Sequence, residues 1–285
     1  MHELSLHEIS PKLDALPTSG IDTLFEKGTG LLNEDGQLVG EQIYGVFDGA
    51  TSLSGSIYDG LTGGYLASQA GVEVFSEDDR SLTELAALAN TTIFHKMEGY
   101  GVDLDRKEEL WSTSAAVVRT QGNELEWCQA GDCRIQLIYT DGSSRQLVEP
   151  PDHDAETLAL WQKIAPVSHQ PIHVALADKI LEVRRRMNID YGVLNGEPDA
   201  LKFVRSGVES LDDVFAVLLY TDGLYVPDLS SGRSHAQEIL SRLFIMGGLE
   251  AVHHHIRLLQ ESDPDCLLYP RFKTSDDISA IALYQ

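Results

Sequence analysis

The sequence predicts an α+β fold in which helices and antiparallel strands are segregated into layers. Three observations predict it. Between residues 114 and 148, short β-patterned segments follow one another with links too short to hold a crossover helix, so neighbours must pair antiparallel. Apolar positions recur at helical spacing at Leu61, Tyr65, Leu66 and Ala70, again from Leu82 to Met97, and once more over a long stretch at 234–259. Finally, the segments 43–47, 214–221 and 278–284 are apolar almost throughout, the mark of fully buried strands. Strands in runs, with helices before and after them, read as α+β and not as a doubly wound sheet.

Composition narrows the function classes. The 285 residues are 42% hydrophobic with only 10 prolines, which suits one folded domain with insertions. Acidic residues number 45 against 21 basic, for a net charge of −24, a field that repels nucleic acid and anionic membrane surfaces. Cys128, Cys133 and Cys266 are odd in number and form no C-x-x-C pair, so no disulfide framework or zinc knuckle is expected, and a reducing cytoplasm is the expected compartment. The start, Met1 to Glu8, lacks the basic and apolar run of a signal peptide, and no apolar stretch is long enough to span a bilayer. Neither a G-x-x-x-x-G-K phosphate loop nor a G-x-G-x-x-G turn is present.

In chain order, residues 1–20 are polar and broken by Pro11 and Pro17, a lead-in to a domain covering 21–285. A strand around Thr23 runs to a Gly28-Thr29-Gly30 turn, and Asn33-Glu34-Asp35 then precede the strand at 43–47. After the two helical runs come strands at 114–119, 125–130, 134–140 and 144–148. From 149 to about 210 the pattern loosens around Pro150-Pro151, a short helix at 157–163 and a helix at 173–186, and this stretch reads as a flap-like insertion.

The chemistry gathers on carboxylates. The strand at 43–47 runs directly into Asp48-Gly49, the one at 214–221 into Asp222-Gly223, and the last strand is preceded by Asp276-Asp277. Acids at the edge of an apolar core are costly and repel one another, so their gathering is tolerable mainly around a cation, which points to a polynuclear Mg2+ or Mn2+ site. Asp141-Gly142, by contrast, joins two alternating strands and reads as a hairpin turn. Gly131-Asp132-Cys133-Arg134 has two readings, a turn with an internal Asp-to-Arg pairing or part of the acidic site. His253-His254-His255 lies mid-helix, where consecutive side chains diverge, and reads as a solvated face. Asp152-His153-Asp154 and Val102-Asp103-Leu104-Asp105 read as surface loops.

Taken in order, Asn33-Glu34-Asp35, Val46-Phe47-Asp48-Gly49, Gly131-Asp132-Cys133-Arg134, Thr221-Asp222-Gly223-Leu224 and Asp276-Asp277-Ile278-Ser279 resemble the signature series of the metal-dependent serine/threonine phosphatases, the protein phosphatase 2C class, in its bacterial type. The resemblance covers residues 20–285 and is weakest over 149–210. It implies a four-layer α-β-β-α sandwich with two central antiparallel sheets and a centre of two Mn2+ or Mg2+ ions. By position, Asp48 would bridge both ions, the Gly49 carbonyl would bind one, and Asp222 and Asp276 the other. Glu34 would act through a water, and Asp132 with Asp222 would hold the looser third ion of bacterial relatives. No residue of the chain serves as nucleophile in this scheme; a water activated by the metals attacks phosphorus.

Two departures stand out. Gly30 occupies the position where the family often has a phosphate-gripping arginine, with Lys27 near but out of register, and Ala50-Thr51 stand where eukaryotic members carry a histidine, which bacterial members commonly lack. The expectation is therefore a cytoplasmic phosphatase of phosphoserine and phosphothreonine in proteins, in a signalling role. The alternatives are a non-catalytic module that binds phosphoproteins on the same fold and a hydrolase of small phosphate esters.

Overall fold

The computed structural model describes residues 16–50, 53–77, 80–149, 152–168, 170–227 and 233–285. Twelve strands and six helices are named in chain order: β1 (Gly20–Glu26), β2 (Gly36–Val39), β3 (Ile43–Gly49), β4 (Ile57–Tyr58), β5 (Leu61–Thr62), α1 (Gly63–Phe75), α2 (Leu82–Tyr100), β6 (Thr113–Gln121), β7 (Glu124–Ala130), β8 (Arg134–Tyr139), β9 (Ser144–Gln146), α3 (Ala155–Ile164), α4 (Ile172–Ala175), α5 (Ala177–Arg184), β10 (Arg205–Ser210), β11 (Val214–Tyr220), α6 (Arg233–Ser262) and β12 (Ile278–Tyr284). Two five-stranded sheets carry the fold, ordered β1-β12-β11-β8-β9 and β10-β7-β6-β3-β2, and every pairing in both is antiparallel.

Side-chain alternation splits each central strand between two cores. On β3, Ile43 and Phe47 pack with α1 and α2 residues such as Ala67, Leu85 and Ile93. Tyr44 and Val46 face the other way and meet Leu137, Val217 and Leu219 of the opposite sheet. On β11, Ala216, Leu218 and Tyr220 pack instead with Leu240, Phe244 and Val252 of α6. The layers are thus helix, sheet, sheet, helix, as the α+β reading requires.

Small residues let α1 approach β3. As far as Gly71 its buried residues are all small, namely Gly63, Gly64, Ala67, Ser68, Ala70 and Gly71, with Val74 and Phe75 buried beyond them, and a methyl at Gly71 would stand 2.5 Å from the Phe47 ring. α2 begins at a capping box in which Ser81 and Glu84 satisfy each other's backbone N–H, and Gly101 closes it in the left-handed conformation. The run expected as one helix at 234–259 contains a break. Gly248 adopts φ 68°, ψ −160°, outside helical space, and Gly247 precedes it in extended φ. Two adjacent glycines make such a break inexpensive, because neither has a Cβ to hold the helical backbone.

Most of the lead-in lies outside the described residues. Its described end is not detached, since Leu16 is buried in the α6 core. The flap needs a boundary correction. Arg205–Ser210 is not part of an irregular insertion; it is β10, an edge strand paired along β7 from Arg205 opposite Gln129 to Ser210 opposite Glu124. Its exposed alternate residues blur the strand pattern in the sequence. The helix expected at 173–186 is split into α4 and α5 at Leu176, whose φ of −118° departs from helical values.

What remains of the excursion builds two small clusters of its own. Trp161, Ala165, Ile172 and Leu176 form one, and Val183, Met187, Tyr191 and Val193 the other. It is tied back where Asn90 of α2 accepts from the amides of Asn195 and Gly196, and where Leu194 bridges to Thr113. Small cores protect amides less than the sandwich interior does, so amides of α3 to α5 are expected to exchange with solvent faster than those of β11. Equal protection in a native-state hydrogen-exchange experiment would contradict this. Among the described residues, no helix is long and apolar enough to cross a membrane.

Candidate metal centre

Antiparallel alternation decides where the acids meet. β3 and β7 run toward one end of the sandwich and β6 and β8 run away from it. Asp48 at the end of β3 therefore faces Ser114 at the start of β6, and the β7–β8 turn carries Asp132 to the same end. Asp132 Oδ1 accepts from Ser114 Oγ at 2.7 Å. In the opposite sheet, β11 delivers Asp222 to this end and β12 departs from it, placing Asp276-Asp277 alongside. Asp48 shares the face of Tyr44 and Val46, so it points to the mouth of the gap between the sheets.

The loop before β2 is fastened to the segment before β12. Asp277 Oδ1 accepts from the Gly28 amide at 2.7 Å and its Oδ2 from the Glu34 amide at 2.9 Å. Asp35, 3% exposed, accepts from Thr221 Oγ1 at 2.7 Å, joining that loop to the end of β11. Glu34 is buried against the first turn of α1, where a methyl at Gly64 would lie 2.7 Å from its Oε1.

The Asp-Gly pairs sort into two kinds by geometry. Gly142 adopts φ 83° in the β8–β9 hairpin, and Asp141 Oδ1 accepts from Ser143 N at 2.8 Å, as a turn residue does. Gly49 and Gly223 have no positive φ; they are glycines because backbone crowds them. A methyl at Gly49 would stand 2.3 Å from the Gly64 carbonyl oxygen, and one at Gly223 would stand 1.9 Å from that of Asp277. The residue after each strand-tip acid is thus fixed by how tightly the segments converge.

The electrostatics record the gathering. Burial raises the Asp48 carboxyl well above the usual carboxylate range, with Asp35, Asp132 and Asp276 adding repulsion and Lys273 offsetting part of it. Burial likewise raises Asp222, helped by Asp48, Asp276 and Asp132. Asp35 is raised by burial, then lowered somewhat by the Thr221 hydroxyl and raised again by Asp222, Asp276 and Asp277. Beneath them the Cys133 thiol is pushed up by burial and by the same acids, which leaves it an inert core residue.

A lysine enters the group. Lys273 Nζ lies 2.6 Å from Asp276 Oδ1. Neither Lys273, Asp277 nor Asp35 is expected as a site residue from the sequence. The doubled acid at 276–277 and the unbroken Asn33-Glu34-Asp35 were the available signals for two of them; nothing local marks Lys273. The internal Asp132–Arg134 pairing is not made. Arg134 instead lies over the Tyr225 ring at 3.8 Å, and Tyr225 donates its hydroxyl to the Asp132 carbonyl. At the position of the missing arginine, Lys27 Nζ turns back to donate to the Gly30 carbonyl at 2.9 Å.

Other sequence candidates stay outside the centre. His253 lies 2.7 Å from Glu26, His254 is exposed and His255 is half-buried, so the run does not converge. His153 stacks on Tyr191 with ring centroids 4.1 Å apart, so the 152–154 segment is docked rather than a free surface loop. All three cysteines are free.

The donor chemistry fits a hard divalent cation, because the groups are oxygens, enclosed and mutually repelling. Among the described residues, however, no three His, Cys, Asp or Glu side chains are drawn tightly enough to hold an ion as they stand. The Lys273–Asp276 pair already engages one carboxylate of the gathered set.

The sequence matches no protein-family model and no curated protein. Solved structures match over nearly the whole chain. The serine/threonine phosphatase PstP/Ppp of Mycobacterium tuberculosis aligns at 19% identity with a TM-score of 0.58, covering 93% of this chain and 98% of that one. The catalytic domain of PstP in complex with two manganese ions aligns at 17% identity and TM-score 0.58, covering 93% and 97%. Serine/threonine phosphatase Stp1 from Staphylococcus aureus aligns at 16% identity and TM-score 0.57, covering 94% and 96%. The chain has the fold of these proteins.

Proposed function

We propose that this chain is a divalent-metal-dependent phosphatase acting on phosphoserine and phosphothreonine in proteins. The observation that carries the reading is the convergence of Asp48, Asp132, Asp222 and Asp276 from four separate segments on one mouth of the sandwich, in a fold shared with bacterial serine/threonine phosphatases. Asp48, the Gly49 carbonyl, Asp222 and Asp276 are the residues that would hold two Mn2+ or Mg2+ ions. Glu34 and Asp132 stand in supporting places. Such ions, when bound, supply the positive charge that a phosphoryl group in transfer requires and make water nucleophilic near neutral pH.

The chain's own residues set up the geometry. Asp48 is carried on a strand paired on both sides, so its carboxylate is held by the sheet and not by a loop. Asp277 clamps the backbone at Gly28 and Glu34, which fixes the loop that faces the acids. Ser114 orients Asp132, and Thr221 orients Asp35. Lys27, whose ammonium reaches the Gly30 carbonyl at the position of the family arginine, would supply a weaker phosphate grip. The partner in this reading is a phosphorylated protein, and the compartment is the cytoplasm.

Turnover of an aryl phosphate and of a phosphothreonine peptide, with and without manganese, tests the proposal. Hydrolysis of both supports it. Hydrolysis of the aryl ester alone favours a small-ester hydrolase, and peptide binding without hydrolysis favours a binding module.

Lys273 supplies a separate check. Its ammonium pairs with Asp276 and also acts on Asp222 and Asp48, so Lys273→Met leaves those charges uncompensated. The thermal midpoint in chelator is expected to drop by about 5 °C, from a cost of about 2 kcal/mol. Manganese affinity, read by calorimetry, is expected to rise about tenfold because the internal competitor is gone. Unchanged affinity would show that the lysine does not oppose metal at Asp276.

A further inference from the structure

Beside the acidic mouth lies a groove of about 300 Å3, bordered by Gly131 and Asp132 on one side and by His153, Tyr191 and Phe203 of the excursion on the other. Its lining includes Gln129, on β7, which is 1% exposed. Both Nε2 and Oε1 of Gln129 are buried and make no hydrogen bond. Buried carboxamides are almost always paired, because burial removes the water that would otherwise satisfy them. Gln129 lines the groove and holds a donor and an acceptor side by side, a pair that a group bringing one acceptor and one donor would satisfy.

A group presenting C=O and N–H together is an amide. The His153–Tyr191 stack, with planes 5° apart, gives the groove a flat wall that suits an extended chain lying across it. Asp132, Glu149 and Asp190 outnumber the one arginine of the lining, Arg205, and this balance disfavours a polyanionic ligand such as a nucleotide at this position. Asp132 also ties the groove to the acids, since its carboxylate bonds Ser114, the β6 partner of Asp48.

We propose that Gln129 reads an amide group of the substrate next to its phosphorylated residue, making this groove the peptide-recognition subsite of the enzyme. The inference rests on the phosphatase reading for its substrate and on the unpaired carboxamide for its location. The excursion then contributes to substrate choice by walling the subsite through His153, Tyr191 and Phe203. Small phosphate esters do not reach it.

Gln129→Met keeps the length of the side chain and removes both polar atoms. The variant is expected to lose about tenfold more kcat/KM on a phosphothreonine peptide than on an aryl phosphate, mostly through KM. Its thermal midpoint is expected to hold or rise, because no bond inside the protein is lost. Equal losses on the two substrates, or no loss on either, would overturn the proposal; a fallen midpoint with equal losses would assign Gln129 a structural role. Two modified peptides separate the sources of the amide. N-methylation at each bond flanking phosphothreonine removes the discrimination between wild type and variant if the backbone is read, and replacement of Asn and Gln side chains by Ala removes it if a carboxamide side chain is read. If wild type hydrolyses neither substrate, the phosphatase reading has failed on its own, and fluorescence anisotropy of the labelled phosphopeptide still decides the subsite. Binding weakened about tenfold in Gln129→Met upholds it, and unchanged binding overturns it.

Discussion

Asp222→Asn is expected to reduce manganese-stimulated phosphatase turnover to background, a loss of at least roughly 10²–10³-fold, while Asp141→Asn leaves it nearly untouched. The two substitutions are the same chemical change in the same Asp-Gly context. Asp222 sits at the tip of β11 among Asp48, Asp132 and Asp276, and in the proposed centre it gives its charge to a metal. Asparagine cannot do so with comparable strength. The same substitution relieves repulsion, so the thermal midpoint in chelator is expected to hold or rise. Asp141 instead accepts one backbone N–H from Ser143 in an exposed hairpin, and the asparagine side-chain oxygen accepts it equally well. Hydrolysis rates and midpoints with and without manganese, for both variants, decide the matter. Equal losses of activity, or a metal-induced midpoint shift lost in Asp141→Asn and kept in Asp222→Asn, would move the site away from the strand tips.

Removing divalent cations with a chelator is expected to stop hydrolysis completely and to leave a protein whose midpoint falls as pH rises. The direction follows from Asp35, Asp48 and Asp222, each raised in the folded state by burial and by its acidic neighbours. A carboxyl raised on folding binds its proton more tightly in the folded chain than in the unfolded one. Its contribution to stability is fully present below the unfolded value of about 4 and is lost as pH rises through the raised value. Manganese should reverse the trend, because it binds the ionised carboxylates and its stabilisation grows as protons leave. Differential scanning calorimetry between pH 5 and 8, in chelator and in manganese, reads both slopes. Activity that survives full chelation would defeat the metal hypothesis, and parallel slopes in the two conditions would mean that the acids do not share a cation.

The acids at strand tips were legible in the sequence because a buried strand ending in Asp-Gly is a local pattern. Apolar runs of five to seven residues mark β3, β11 and β12 without knowledge of their partners. The same locality explains what was not legible. β10 alternates with exposed residues and is a strand only because β7 offers it an edge. Asp277 and Asp35 look like spare acids in the chain and become a backbone clamp and a threonine partner only after β12 lies beside β11. Gln129 reads as an ordinary strand residue until the Gly131 turn and Tyr191 close a groove over it.

By itself, then, the sequence determined the layers, the antiparallel run of strands, the carboxylates at the ends of β3 and β11, and the separation of Asp141 from Asp48 and Asp222. These depend on side-chain period and turn chemistry, which act within a few residues. Only the tertiary structure decided which acids share a field, that Lys273 neutralises Asp276, that Arg134 turns to Tyr225 instead of Asp132, and that an unpaired carboxamide borders the site. Those outcomes follow from pairings across as many as about 250 residues of chain, such as Gly28 with Asp277. No local propensity encodes them, because charge, burial and hydrogen bonding are set by whichever segments the two sheets bring to the same end.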